Sequence, residues 1–390
     1  MGNSDIRQQI QGYEAIRLEA EVCRKYGRDY EAEKGIYARA LERLHPQRLH
    51  LQIAKIISET PSAKTLRLVS TGDPLPPFQA GQYINLAVEI DGVRTSRAYS
   101  ISSSPTQTAY YDLTVRRITG GFVSDYLLDQ ATVGDHLAAS GPTGNFYYNP
   151  LFHGQDLVFI AGGSGITPFM SMIREVSDSA KMRKIHLIYG SKSADDVIFH
   201  QELLACAQAN SNFTYSLVIS EPPPNYSGLS GLIDAHLLTS LITDLTAPTF
   251  YLCGPAALYE FCLPALEALG IPRRRIRREV IGTPANITGQ PGWPASVEAG
   301  TSFNVKIAGG LIKARTISAR AGEPLLVALE RHGITVNNSC RSGECSLCRV
   351  KLLNGQVFQP VGLPVRQSDI RFGYIHSCMA YPVTDLEVMI

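Results

Sequence analysis

The chain has 390 residues, 44% hydrophobic and 18% charged, and a formal net charge of +1. That length accommodates two to four domains with separate cores, and the composition is that of a globular protein. A charge so near zero excludes a whole-chain field for nucleic acid, and no apolar run approaches the ~18 residues needed to span a bilayer.

The opening MGNSDIRQQIQGYEAIRLEAE is too polar for a secretory signal peptide, and Ile6 stands where a myristoylation signal carries Ser or Thr. A cytoplasmic, reducing location follows, which argues against a disulfide framework for the eight cysteines. Residues 1–47 read as a helical extension rich in Glu, Arg, Ala and Leu. Ile36, Ala40, Leu41 and Leu44 recur at helical spacing, and His45-Pro46 ends that pattern. Such a helix either packs on the next domain or serves docking or dimerisation.

From 48 to 150 short strands are separated by Pro, Gly, Asp and Ser turns, which predicts an antiparallel β-barrel. Within it, RAYS (Arg97–Ser100) offers a cation, an aromatic face and a hydroxyl; on an alternating strand Arg97 and Tyr99 share a face. A flat, partly anionic cofactor suits that trio, although Tyr and Arg on strands also simply cover sheets. GGFVSDYLL (Gly120–Leu128) opens a helix with two glycines and Ser124, either a phosphate site or a capped glycine turn.

From 151 to 281 apolar strands alternate with helices, the pattern of a parallel α/β sheet. AGGSGITP (Ala161–Pro168) joins a buried strand to a helix through a glycine turn, the context that lets backbone approach a pyrophosphate. It is not the G-x-G-x-x-G fingerprint. CGP (Cys253–Pro255) ends a later strand on the carboxyl edge, where such sheets bind ligands. Cys206 and Cys262 sit in helix-like apolar patterns as small core residues, and RRRIRRE (Arg273–Glu279) reads as a solvated basic run.

Residues 282–302, rich in Gly, Pro, Ser and Thr, read as a semi-rigid linker. Residues 303–390 begin and end on strands, with a helix expected at EPLLVALERHG. Cys340, Cys345 and Cys348 have the spacing C-x4-C-x2-C, and Cys378 follows after 29 residues. This is the plant-type [2Fe–2S] spacing. Small Ser342, Gly343 and Ser346 let the loop wrap closely. A zinc site normally pairs C-x2-C knuckles, and only one is present; His376, two residues before Cys378, leaves a Cys-His arrangement as the weaker reading.

In order, RAYS, GGFVS, GPTGNF, AGGSGITP, YGSKSADDVIF and CGP resemble the ferredoxin–NADP reductase superfamily, over about residues 48–390. The likeness is greatest to its oxygenase-reductase branch with a C-terminal ferredoxin domain, such as phenylacetate-hydroxylase and ketosteroid-hydroxylase reductases. It implies a flavin barrel, a nucleotide domain and a β-grasp [2Fe–2S] domain. By this resemblance Arg97, Tyr99 and Ser100 bind the flavin, and Gly121 and Ser124 hold its phosphates. Gly162, Gly163, Gly165 and Thr167 line the nicotinamide nucleotide site. Cys253 lies near the nicotinamide, and Glu279 near the flavin. The aromatic often found two residues later is Ile281 here.

The phosphate segment resembles FAD rather than FMN members. Glu221 follows Ser220 where NADPH-preferring members carry Ser-Arg, and a carboxylate repels a 2′-phosphate. NADH is therefore expected, with NADPH as the alternative and Lys192 as a partial compensation. The expected path runs from NADH through FAD to the cluster and on to an external acceptor protein such as an oxygenase component. The alternative is a self-contained reductase of a small molecule.

Overall fold

Alternation of apolar and polar residues builds the first sheet of the computed structural model, which describes residues 11–27, 41–42, 46, 48–179, 183–279, 282–284, 286–309 and 313–390. Strand β1 (Leu49–Thr60) turns Leu49, Leu51 and Ile53 inward. It is followed by β2 (Ala63–Ser70), β3 (Tyr83–Ile90), β4 (Val93–Ser100), β5 (Tyr111–Arg116) and β6 (His136–Ala139). The antiparallel order is β4-β3-β6-β1-β2-β5, and a bridge between Ile101 and Leu113 joins its two ends into a barrel. Leu51, Ile53, Leu66, Leu68, Ile84, Leu86 and Leu113 fill it at 0% exposure. Between β5 and β6 lies helix α2 (Phe122–Asp125), which continues as a five-residue π turn over Tyr126–Gln130.

The second sheet is parallel: β7 (Asp156–Gly162), β8 (Lys184–Ser191), β9 (Phe213–Ile219), β10 (Leu229–Ser230), β11 (Thr249–Cys253) and β12 (Ile276–Glu279). Helices α3 (Ile166–Ser179), α4 (His200–Ala209), α5 (Ala235–Leu241) and α6 (Ala256–Ala268) connect the strands. Because helices cover both faces, β7 is a continuous buried run from Leu157 to Gly162. Strand order is β10-β9-β8-β7-β11-β12, so the chain starts in the middle and reverses between β7 and β11. At such a switch point the strand ends diverge and leave a crevice.

The third sheet has the order β14-β13-β19-β15-β17, from β13 (Ser302–Ala308), β14 (Arg315–Arg320), β15 (Arg349–Asn354), β17 (Tyr374–His376) and β19 (Leu386–Met389). A two-stranded ribbon pairs β16 (Val357–Phe358) with β18 (Tyr381–Pro382). Helix α7 (Leu325–Arg331) buries Leu325, Leu326, Ala328 and Leu329 in this core, and a short α8 (Gln367–Arg371) precedes β17.

Residues 48–390 form one compact unit and residues 1–47 another. In the latter, α1 (Tyr13–Tyr26) has no buried residue. The helix expected over Tyr30–Leu44 lies, except for Leu41 and Glu42, outside the described residues. No helix among the described residues is long and apolar enough to cross a membrane.

One stretch differs from the sequence reading. The basic run Arg273–Glu279 is a short turn leading into strand β12, not a freely solvated segment. Arg275 donates to the carbonyls of Leu245, Thr246 and Pro248, and Arg277 to that of Asn145. In the glycine- and proline-rich stretch after it, Ile287 and Trp293 pack on Phe358 and Tyr381, tying that stretch to the β16–β18 ribbon.

Candidate functional site

A cleft of about 310 Å³ opens at the β7/β11 switch point. Gly162 and Gly163 line one wall, Ser191, Lys192, Ser220 and Glu221 the rim, and Pro255 and Leu258 at the start of α6 the other wall. The glycines are there because two backbones nearly touch. A Cβ on Gly165 would lie 2.1 Å from the Cys253 carbonyl oxygen, and one on Gly162 would lie 2.9 Å from Pro255 Cδ. Gly163 has φ +52°, and a Cβ there would meet the Arg116 guanidinium at 2.1 Å.

Of the residues expected at the nucleotide site, Gly162, Gly163 and Glu221 line this cleft. Gly165 faces β11 instead, and buried Thr167 donates its hydroxyl to the Ser164 carbonyl at 3.0 Å. Glu221 is not a lone carboxylate: Lys192 Nζ sits 3.4 Å from it, and both side chains are exposed.

Sequence reasoning missed Arg116. From the end of barrel strand β5 it reaches the cleft beside Gly163, paired with Asp196. Asp196 also accepts the hydroxyls of Thr60 and Ser62, each at 2.6 Å. Burial pushes the Asp196 carboxyl up, but those hydroxyls and the Arg116 charge hold it below its ordinary value.

Cys253 is fully buried, and burial followed by the nearby Glu279 carboxyl pushes its thiol well up. It sits beside Glu279 in the β11–β12 register but does not line the cleft. Glu279 instead faces a second chamber of about 180 Å³ with Tyr83, Asn145, Phe146, Arg278, Cys340 and Glu344. An adjoining recess adds Ser100, Ala98 and Ser342. Burial, then Glu344 and Cys340, pushes the Glu279 carboxyl up to about 8. Barrel, parallel sheet and cysteine loop therefore meet around one small space. Its hydroxyls (Tyr83, Ser100) and carboxyl (Glu279) suit the polar edge of a flat heteroaromatic ring.

Arg97 and Tyr99 do not line that space. Tyr99 packs against the barrel core, and burial pushes its hydroxyl up to about 12. Arg97 donates to the Thr95 hydroxyl at 2.8 Å and the Ser96 carbonyl at 2.7 Å. Burial lowers its pKa to about 10, with Arg341 adding to the fall. Gly121 and Ser124 form one tight turn: the Ser124 hydroxyl accepts from Ile118 N at 3.2 Å and donates to the Gly121 carbonyl at 3.3 Å. A Cβ on Gly121 would lie 2.2 Å from that hydroxyl oxygen.

The cysteine loop runs between α7 and β15, and Cys378 follows β17. The four thiols come as two pairs. Cys348 and Cys378 are 3.2 Å apart, while Cys345 N–H points at Cys340 Sγ from 3.4 Å, as does Ser342 N–H. Within each pair one thiol donates to the other, which depresses Cys340 and Cys348 and raises Cys345 and Cys378. No three His, Cys, Asp or Glu side chains among the described residues converge on one metal position. Two pairs suit two irons, not one zinc. Left-handed backbone at Arg341 (φ 54°), Gly343 (φ 84°) and Ser346 (φ 59°) curls the loop. The Ser346 hydroxyl is buried without a partner, and a sulfide of the cluster would supply an acceptor for it.

His376 is not a ligand. It is fully buried, with Nδ1 2.8 Å from the Gly343 carbonyl and Nε2 3.2 Å from Asp369 Oδ2. It ties the loop to α8.

Three family models match in chain order. They are an oxidoreductase FAD-binding domain over residues 48–148, an oxidoreductase NAD-binding domain over 159–263, and a 2Fe-2S iron-sulfur cluster binding domain over 311–383. The chain is 31% identical over 336 residues to the NADH oxidoreductase HCR of Escherichia coli, covering 86% of this chain and 96% of that protein. It belongs to the ferredoxin–NADP reductase superfamily, in the branch with a C-terminal plant-type ferredoxin domain.

The reductase is also 30% identical over 355 residues to one component of the 1,2-phenylacetyl-CoA epoxidase of Escherichia coli (86% and 95% covered). It is 28% identical over 347 residues to the glycine betaine monooxygenase reductase subunit of Pseudomonas aeruginosa (87% and 94%). In fold it matches phthalate dioxygenase reductase with a TM-score of 0.65 at 24% identity, covering 88% of this chain and 97% of that one. It is an iron–sulfur flavoprotein oxidoreductase with FAD, NAD and [2Fe–2S] domains, and electrons pass from NADH through FAD to the cluster and on to an external acceptor. Cys340, Cys345, Cys348 and Cys378 have the arrangement to hold that cluster.

Proposed function

We propose that the reductase delivers its electrons to a protein, an oxygenase component, and works in the reducing cytoplasm. The observation that carries this reading is the shared chamber: Cys340 of the cluster loop lines the same recess as Ser100 of the barrel and Glu279 of β12. An electron entering at the cleft is thereby led to the ferredoxin domain, which serves a partner too large to enter a cleft. Relatives named as a monooxygenase reductase and an epoxidase component support the same assignment.

In this reading the segments 48–150, 151–281 and 303–390 act as flavin, nucleotide and ferredoxin domains, joined by residues 282–302 and preceded by the extension 1–47. Gly162 and Gly163 admit the nucleotide's pyrophosphate, with Gly165 and Thr167 shaping the turn beneath them, and Glu221 favours NADH over NADPH. Arg97, Tyr99 and Ser100 hold the flavin, and Gly121 and Ser124 form the turn facing its phosphates. Cys253 and Glu279 border the point where hydride crosses. When bound, the flavin supplies the conversion of one two-electron donor into single-electron transfers.

An anaerobic NADH titration of the purified protein, read by visible absorbance and electron paramagnetic resonance, tests the path. Bleached flavin together with a reduced [2Fe–2S] signal supports it. Bleached flavin beside an intact, oxidised cluster would favour a self-contained reductase of a small molecule.

A further inference from the structure

The seam between the ferredoxin domain and the flavin barrel is polar and centred on a buried ion pair. Glu330, on α7, and Arg341, between Cys340 and Ser342, pair with side-chain exposures of 7% and 8%. Both reach across to β4. The Thr95 hydroxyl donates to Glu330 Oε2 at 2.9 Å and accepts from Arg341 Nη2 at 3.2 Å and from Arg97 Nη1 at 2.8 Å. One donor and two acceptor positions are then all in use, so this hydroxyl is saturated. Beside it, Ser96 Oγ donates to Asn338 Oδ1 at 2.8 Å, and Asn85 Nδ2 donates to the Asn338 carbonyl at 3.0 Å.

An apolar seam would hold two domains as firmly and tolerate small slips. A buried charge pair does neither: it adds little net stability but penalises every arrangement that leaves one charge unmatched. What it selects is geometry. The geometry selected here is the placement of Cys340 beside Tyr83, Ser100 and Glu279.

We propose that Glu330 and Arg341, closed around Thr95 of β4, form a latch that holds the cluster loop against the flavin site and thereby sets the rate at which electrons reach the cluster. Glu330 and Thr95 are positioning residues: they touch neither the nucleotide cleft nor the cluster thiols, and Arg97, which donates to the Thr95 hydroxyl, keeps its bond to the Ser96 carbonyl without it. The inference rests on the electron path proposed above. The step concerned moves one electron at a time with no bond made or broken, so distance and orientation between the two redox groups govern it. Hydride transfer from NADH is served by the nucleotide cleft, which the latch residues do not line, and does not depend on the latch.

The test compares the holoenzyme with Glu330→Gln, Thr95→Val and Thr95→Ser, each checked for flavin and iron content. Anaerobic stopped-flow separates NADH-driven flavin bleaching from cluster reduction, and amide hydrogen exchange follows β4 and α7. Glu330→Gln and Thr95→Val are expected to bleach flavin within about twofold of wild type, to slow cluster reduction by roughly tenfold or more, and to raise exchange at Val93–Ser100 and Leu325–Arg331. Thr95→Ser, which keeps the hydroxyl, is expected to behave as wild type. Unchanged cluster reduction in both disruptive variants overturns the latch, as does unchanged exchange. If wild type itself never reduces its cluster with NADH, the electron path fails and the latch with it, a result distinct from a failure confined to the variants.

Discussion

Replacing Gly165 by alanine drives a methyl group into the end of β11. The new carbon would lie 2.1 Å from the Cys253 carbonyl oxygen, 2.4 Å from its carbonyl carbon and 2.7 Å from Gly254 Cα. Comfortable carbon contacts are roughly 3.5–4 Å, so one backbone must retreat by on the order of 1 Å. Cys253 and its strand are fully buried and cannot do so freely. Overpacking of this kind costs roughly 1–3 kcal/mol, against at most about 1 kcal/mol gained by removing a glycine. The melting midpoint is expected to fall by about 2–4 °C per net kcal/mol. Because the same two backbones form the cleft walls, KM for NADH is also expected to rise, by roughly tenfold if 1.4 kcal/mol of binding is lost. Calorimetry and steady-state kinetics provide the readouts. Gly154→Ala, where an added Cβ meets nothing within 4 Å, is the silent control. A Gly165→Ala protein with unchanged midpoint and KM would refute the close-approach argument.

Glu221→Ala is expected to free Lys192 and shift the kcat/KM ratio toward NADPH by about tenfold, a change of ~1.4 kcal/mol; Lys192→Ala should move the ratio the other way, and a ratio indifferent to both removes the rim from specificity. The Glu279 carboxyl, raised to about 8 from 4.5, is protonated in the folded protein where an unfolded chain would have lost its proton. Its contribution to stability is full below pH 4.5 and is lost as pH rises through 8, so Glu279→Gln should flatten that decline in denaturation midpoints. For His376→Leu, Asp369 keeps Arg349 at 3.5 Å but loses its buried imidazole hydrogen bond, at about 1–3 kcal/mol. Iron content and the paramagnetic signal should fall, with partial recovery in His376→Asn; a full cluster complement in the leucine variant would count against the tie.

Much of the architecture was legible because periodicity carried it. The apolar alternation of β1 and the continuous run of β7 each have one physical reading. Strand β6 (HLAA) was hidden by its brevity, and β12 (IRRE) by its charges, because a parallel edge strand pairs through backbone and asks little of its side chains. The cysteine constellation was legible because its spacing is itself the chemistry. Arg116 was not: it matters only because β5 of one domain abuts the glycine turn of another. Glu330 looked like one more charge in a helical pattern, and only the fold brings it to Thr95. Of the RAYS trio, Ser100 alone borders the chamber, since Arg97 and Tyr99 share a face that alternation alone could not assign.

Trp293 is the chain's only tryptophan. Its indole N–H donates to the Val297 carbonyl at 2.7 Å, and its ring meets Phe358 edge-on at 5.2 Å. Excited at the red edge of the protein band, where the 18 tyrosines scarcely absorb, ultraviolet emission therefore comes from a single indole lodged against the ferredoxin domain, while green emission belongs to the flavin barrel. Warming one sample and watching both colours would reveal in which order the two modules come apart, with no label attached.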